Sequence, residues 1–165
     1  MISFWSRNLK DVTSPLATAT LTLQRDFFKR FAPWQLVVTR TAVSLDVQEA
    51  IHLQGRADLK TVNAARAAAG LWPITAAENH EVSWCAPMKS LHVVGPGIRA
   101  LAEAVDLAIA IDPDGPTGPL KPVIDWKNGR YAAMALMAKL LGCEAGYDFS
   151  PRDPGHIQMR SKATC

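Results

Sequence analysis

The residues in this sequence best suited to chemistry are two histidines and two aspartates, His92, Asp106, Asp153 and His156. Asp106 lies in "AVDLAIAI", Ala104–Ile111. A strand sends alternate side chains to opposite faces, so Val105, Leu107, Ile109 and Ile111 form one face and Ala104, Asp106, Ala108 and Ala110 the other. A carboxylate among alanines leaves space beside it. "GHIQMR", Gly155–Arg160, repeats the pattern, with Ile157 and Met159 on one side and His156, Gln158 and Arg160 on the other. If the two strands share a sheet with their apolar faces aligned, Asp106 and His156 fall on one polar face. His92 can join them from a neighbouring loop. Two imidazoles and one carboxylate with an open fourth position are a common donor set for catalytic zinc, which polarises a carbonyl and lowers the pKa of a bound water. Such hydrolysis also needs a proton acceptor. Asp153 stands three residues before His156 in "DPGH", and the Pro154-Gly155 turn can hold it near a metal without making it a ligand. The competing reading is plainer: a strand aspartate and a late histidine as surface residues, since this spacing is no zinc signature in itself.

The elements that must position these residues follow from local patterns. Ser14-Pro15 reads as a helix start, and "LATATLTLQRDFFKRF" as its body, ended by Pro33. "WQLVVTRT", Trp34–Thr41, is β-branched and strand-like. Ser44 can cap a helix over "LDVQEAIHLQ" that stops at Gly55, and "KTVNAARAAAGL" predicts a third helix closed by Gly70. A short strand is expected around Val82–Trp84. "IRALAEAVDLAIA" also suits a helix, which would leave Asp106 no route to His156; the alternation of Val105, Ile109 and Ile111 favours a break near Glu103 and then a strand. The "DPDGPTGPLKP" run, Asp112–Pro122, predicts a loop, "NGRYAAMALMAKLLG" an amphipathic helix, and the last five residues a frayed tail. The expected fold is α+β in a single domain over residues 1–165: a small antiparallel sheet of about four strands with helices packed on it.

Composition sets outer bounds. Of 165 residues, 48% are hydrophobic and 20% charged, which is a folded globular composition rather than a disordered one. The formal net charge of +3 favours anionic surfaces, but no dense Lys/Arg run marks a nucleic-acid footprint. No window is long and apolar enough to span a bilayer, and the opening "MISFWSRNLK" lacks the apolar run of a signal peptide. Cys85, Cys143 and Cys165 are an odd set without a C-x-x-C pair, so free thiols and a reducing compartment are expected.

The ordered motifs resemble a family. "SLH…G…AVDLAI" followed by "DPGHIQ" resembles the M15 zinc peptidases, whose pattern is S-x-H, a nearby Gly, A-x-D and a late D-x-x-H or E-x-x-H. "SRNLKDV", "VQEAIHLQGR", "VSWCAPMKSLH" and "LLGCEAGYDF" resemble further family segments in the same order, so the likeness covers most of the chain. The resemblance implies a Hedgehog/D-Ala-D-Ala-peptidase-like fold. It implies Zn2+ held by His92, Asp106 and His156, with Asp153 as catalytic base and Ser90 as the serine preceding the first ligand. It further implies the peptidoglycan stem peptide as substrate, cut at the L-alanyl-D-glutamate bond in the manner of a phage endolysin. Such a chain would be folded in the host cytoplasm and released to the wall with a holin; no nucleic-acid partner and no stable membrane insertion are expected, and a monomer is the default oligomeric state. A D-alanyl-D-alanine carboxypeptidase or dipeptidase, and a non-catalytic wall-binding virion module with a degenerate site, stand as alternatives.

Two departures from the pattern matter. His92 and Asp106 are fourteen residues apart, twice the family's step, so Pro96–Ala102 or a similar block is extra. The family's substrate-binding arginine would fall on Val43, leaving Arg40 or Arg56 to supply that charge. Elsewhere the plainer readings hold. His52 reads as a packing or surface residue and His80 as a loop residue. Trp72, Trp84, Trp126 and Tyr147 read as core candidates, of which Trp84 and Tyr147 flank the motifs. Asp125 reads as a residue at the start of the last helix.

Overall fold

The computed structural model describes residues 4–111 and 122–159. Four helices, α1 (Ser14–Phe31), α2 (Leu45–Leu53), α3 (Leu59–Ala68) and α4 (Tyr131–Leu140), accompany five strands. The strands are β1 (Trp34–Arg40), β2 (Ala104–Ile111), β3 (Val123–Ile124), β4 (Cys143–Ala145) and β5 (His156–Met159). They form one antiparallel sheet in the order β1-β2-β5-β4, with β3 on the far end of β2. The α+β expectation is met. The Asp112–Pro122 loop, apart from Pro122, and the final tail lie outside the described residues.

One face of the sheet is covered by α1 and α4. Leu16, Leu23 and Phe27 of α1 and Met134 and Ala138 of α4 pack on Leu36, Val105, Leu107, Ile109 and Ile157, all buried. Each such aliphatic or aromatic side chain contributes about 1.5–3 kcal/mol by leaving water. That burial fixes the register, because slipping β2 by one residue would exchange Leu107 for Asp106 at the core. The threonines of α1 are accommodated: Thr20 donates its hydroxyl proton to the carbonyl of Leu16 at 2.8 Å. Ala32 then leaves helical geometry with ψ 138°, as a residue before proline must.

Three details differ from the sequence reading. Val82–Cys85 is not a strand. Val82 and Trp84 are exposed, and Ser83 is turned inward to accept a hydrogen bond from Gln48 at 2.8 Å. Ser44 does precede α2, but its hydroxyl does not cap the helix; it accepts from the backbone N–H of Phe4 at 3.0 Å, tying the N-terminal segment down. Cys143 is a buried free thiol, whereas Cys85 is disulfide-bonded, so the expectation of free thiols fails at Cys85.

Candidate metal centre

Strand register builds the centre. Asp106 of β2 lies directly opposite His156 of β5 on one side and Arg40 of β1 on the other. Directly opposed residues share a face, so the three side chains form a row across β1, β2 and β5 on the face away from α1 and α4. The Arg40 pairing depends on a bulge. Val38 faces Leu107 and Arg40 faces Asp106, so Thr39 is an extra residue that re-aims Arg40 to the polar face.

His92 arrives from a loop held in parallel against residues 41–43. Val43 donates to the carbonyl of His92 and Val94 donates to the carbonyl of Val43, both at 3.0 Å. The extra block between His92 and Asp106 does not displace either residue. Gly97, with φ +76°, closes a tight turn in which Gly95 donates to Arg99 O at 2.9 Å, and Arg99 folds back onto the Ser90 carbonyl at 2.7 Å. Ala102 is then fixed to residues 11 and 13, and Glu103 donates to Leu91 O at 2.9 Å, which returns the chain to β2 in register.

His92 Nε2, Asp106 Oδ1 and His156 Nδ1 converge. The two nitrogens lie 3.1 and 3.0 Å from the oxygen and 3.4 Å from each other. Donors of a tetrahedral site with bonds of about 2.0–2.1 Å lie about 3.3–3.4 Å apart, so three corners of such a site are already formed.

The remote ring nitrogens decide what the converging atoms carry. His92 Nδ1 lies 2.7 Å from the carbonyl of Thr41, which can only accept, so Nδ1 bears the proton. His156 Nε2 lies 2.9 Å from Gln158 Oε1. The orientation of that amide is set in turn by its NH2 group, which donates to Glu144 Oε2 at 2.9 Å. When both imidazoles are neutral, each directs a lone pair at a carboxylate oxygen. Three lone pairs facing one another are repulsive unless a cation sits among them. His92, Asp106 and His156 are the group, among the described residues, that could hold a metal ion.

The titration behaviour of the cluster follows from its setting. Burial pushes His92 down to about 4 against the opposing pull of Asp106, so it is neutral and able to ligate. Burial would raise Asp106, but the Arg40 guanidinium, with both histidines adding, holds it well below the usual carboxylate range. His156 is lowered by burial and raised more strongly by its hydrogen bond and charge interaction with Asp106, so it rises overall. Asp153 is raised, first by burial and then by the charge of Asp106.

Asp153 and His156 both press against Gly146. A methyl at Gly146 would come within 2.3 Å of Asp153 O and 2.8 Å of His156 Cβ. The turn closes with His156 N–H donating to Asp153 O at 3.1 Å and Asp153 N–H donating to Gly146 O at 2.9 Å. Gly155 lets this turn press on β2, since a methyl there would meet Leu107 O at 2.4 Å.

A cleft of about 440 Å³ opens over the centre, lined by Arg40, Ser90, His92, Asp153 and His156 among others, with Trp84, Val82 and Phe149 as its apolar wall. Ser90 is buried; its hydroxyl accepts weakly from His92 N–H at 3.4 Å. Arg40 is at the centre, but it is bound to Asp106. Arg56 is not brought to the cleft: it pairs with Glu81 at 3.1 Å and bonds the carbonyl of His52. Tyr147 packs beneath Arg152 rather than lining the cleft. Asp125 accepts from Lys127 N and Asn128 Nδ2 just before α4.

Four residues that serve the centre escaped the sequence reading as functional groups: Thr41, Glu144, Gln158 and Gln48. The first three orient the histidines. Gln48 lines the cleft, is 1% exposed, and keeps Oε1 without a hydrogen-bond partner while its NH2 group holds Ser83. The alternation of β5 put Gln158 on the same face as His156, which is the one signal that could have found it. No protein-family model matches the chain, and a search of curated proteins returns no match.

Proposed function

We propose that this chain is a zinc-dependent peptidase that hydrolyses the stem peptide of peptidoglycan, with the L-alanyl-D-glutamate bond as its target. The observation that carries the metal reading is the convergence of His92 Nε2, Asp106 Oδ1 and His156 Nδ1, with the far ring nitrogens hydrogen-bonded to Thr41 O and Gln158 Oε1. A donor set of two neutral imidazoles and one carboxylate suits zinc over calcium or magnesium, which prefer oxygen ligands. The ordered resemblance to the M15 peptidases supplies the substrate class.

A zinc ion held there would polarise a peptide carbonyl and acidify a water at its open position. The chain's own groups do the rest. Asp153, partly buried and raised from its ordinary value by that burial and by the charge of Asp106, takes a proton from the attacking water and returns it to the leaving amine. Gln48 Oε1 offers a buried acceptor to a substrate N–H. Trp84, Val82 and Phe149 exclude water along one wall of the cleft. Arg40 has two nitrogens on Asp106, which favours a substrate not anchored by its terminal carboxylate and hence an internal bond.

Digestion of purified peptidoglycan by the zinc-loaded protein, read by mass spectrometry, tests this. The expected products carry a new N-terminal D-glutamate, and a chelator abolishes them. Asp153→Asn keeps zinc and loses turnover by about 10²–10⁴-fold. Released terminal D-alanine would move the target to the other end of the stem. A zinc-loaded protein that leaves the stem intact would remove the peptidase reading.

A further inference from the structure

The two oxygens of Asp106 have separate occupants. Oδ1 faces both imidazoles. Oδ2 accepts from Arg40 Nε at 2.6 Å and Nη2 at 2.5 Å, with the two side chains 13% and 16% exposed. Arg40 is itself held. The Trp5 ring lies 5.6 Å from its guanidinium carbon, and the indole N–H is tied to Thr39 O at 3.2 Å, so the ring covers the ion pair from the solvent side. The bulge at Thr39 aims the guanidinium at Oδ2, and Thr39 reinforces it by donating its hydroxyl proton to Asp106 O at 3.1 Å. Val43, where the related pattern carries an arginine, is fully buried in an apolar cluster with Val47 and Val93. No cation comes to the centre from that position.

We infer that Arg40 is a positioning residue for the metal centre: it occupies Asp106 Oδ2, so that Asp106 presents Oδ1 alone to the cation. The inference rests on the metal reading above. A free carboxylate can bind a metal through one oxygen or both. Releasing Oδ2 here would break two charge-assisted hydrogen bonds in a mostly buried pair and leave a guanidinium without its counter-charge. The pairing therefore fixes the number of protein donors at three and keeps room for water and substrate. Arg40 does this without spending its charge on the substrate.

Titration of the wild-type chain and of Arg40→Met and Arg40→Lys with Co2+, followed by visible absorption with circular dichroism as the folding control, tests the inference. The wild type is expected to bind one equivalent with intense four-coordinate bands. Arg40→Met is expected to lose about 10–100-fold in affinity and to show weaker bands, as Asp106 swings to offer both oxygens. Arg40→Lys, which keeps the charge but can place only one nitrogen on Oδ2, should recover part of the affinity and still show an altered spectrum. It carries the test if the methionine variant does not fold. A folded lysine variant with the wild-type Co2+ constant and spectrum overturns the inference while leaving the metal centre intact, and a raised KM on that background would make Arg40 a substrate anchor instead. A wild-type chain that takes up no Co2+ overturns the metal reading, and this inference with it.

Discussion

Gly146→Ala is the smallest change that should disable the centre without touching a ligand. The backbone at Gly146 is not in the left-handed region, so alanine suits its conformation; what it lacks is space. The added methyl would lie 2.3 Å from Asp153 O, where ordinary contact begins at 3.4 Å, and 2.8 Å from His156 Cβ. The nearest atom belongs to the backbone, so no rotamer change relieves the clash, and the 153–156 turn must retreat by roughly 1 Å. That retreat carries His156 Nδ1 away from Asp106 Oδ1, now at 3.0 Å, and shifts Asp153 with it. Misplacing a ligand through its supporting shell costs about 10–100-fold in metal affinity, or about 1.4–2.8 kcal/mol. Overpacking adds about 1–3 kcal/mol of lost stability, a fall of several degrees in the Tm of the metal-free protein. Calorimetric zinc titration with parallel thermal melts would read both. Gly129→Ala, where a methyl meets open space, is the control. Wild-type zinc affinity in Gly146→Ala would refute the claim that this glycine sets the position of the metal-binding turn.

The protonation pattern predicts that zinc uptake near pH 6 releases one proton, not two. His92 stays neutral down to about 4 and Asp106 is ionised, whereas His156 is raised above its ordinary value and must lose its proton to ligate. Apparent zinc affinity should therefore fall as pH drops through the raised His156 value; titrations in buffers of different ionisation enthalpy count the protons, and release of two contradicts the assignment. Gln48→Met should raise KM by about 2- to 10-fold, the worth of one hydrogen bond, and leave zinc affinity unchanged. Steady-state kinetics beside a zinc titration separates those effects, and an unchanged KM would mean that the buried Oε1 receives nothing from substrate.

Much of the architecture was legible because it rests on local chemistry. The alternation in Ala104–Ile111 and Gly155–Arg160 put Asp106 and His156 on one polar face, and the structure pairs them directly. The helices around Ser14–Phe31 and Tyr131–Leu140 follow from proline and glycine punctuation and from their apolar stripes. What escaped is what depends on distant partners. The bulge at Thr39 has no local signature, so Arg40 could be suspected of a role but not placed on Asp106. Glu144 and Gln158 matter only because β4 and β5 pair. Thr41 acts through its carbonyl, which the sequence does not distinguish from any other. Val82–Trp84 shows the reverse case: a strand-like pattern whose apolar residues wall a cleft instead of entering a core. The short strands β3 and β4 are too brief to leave a period and form only where their partners wait.

The claim on which all of this turns is that His92, Asp106 and His156 hold a metal ion. Zinc content, measured by plasma mass spectrometry after loading and dialysis against metal-free buffer, tests it directly in the wild-type chain and in His156→Ala. A single tightly held zinc is expected in the wild type and none in the variant; a wild-type chain that retains no metal, or a variant that retains it equally well, would contradict that claim.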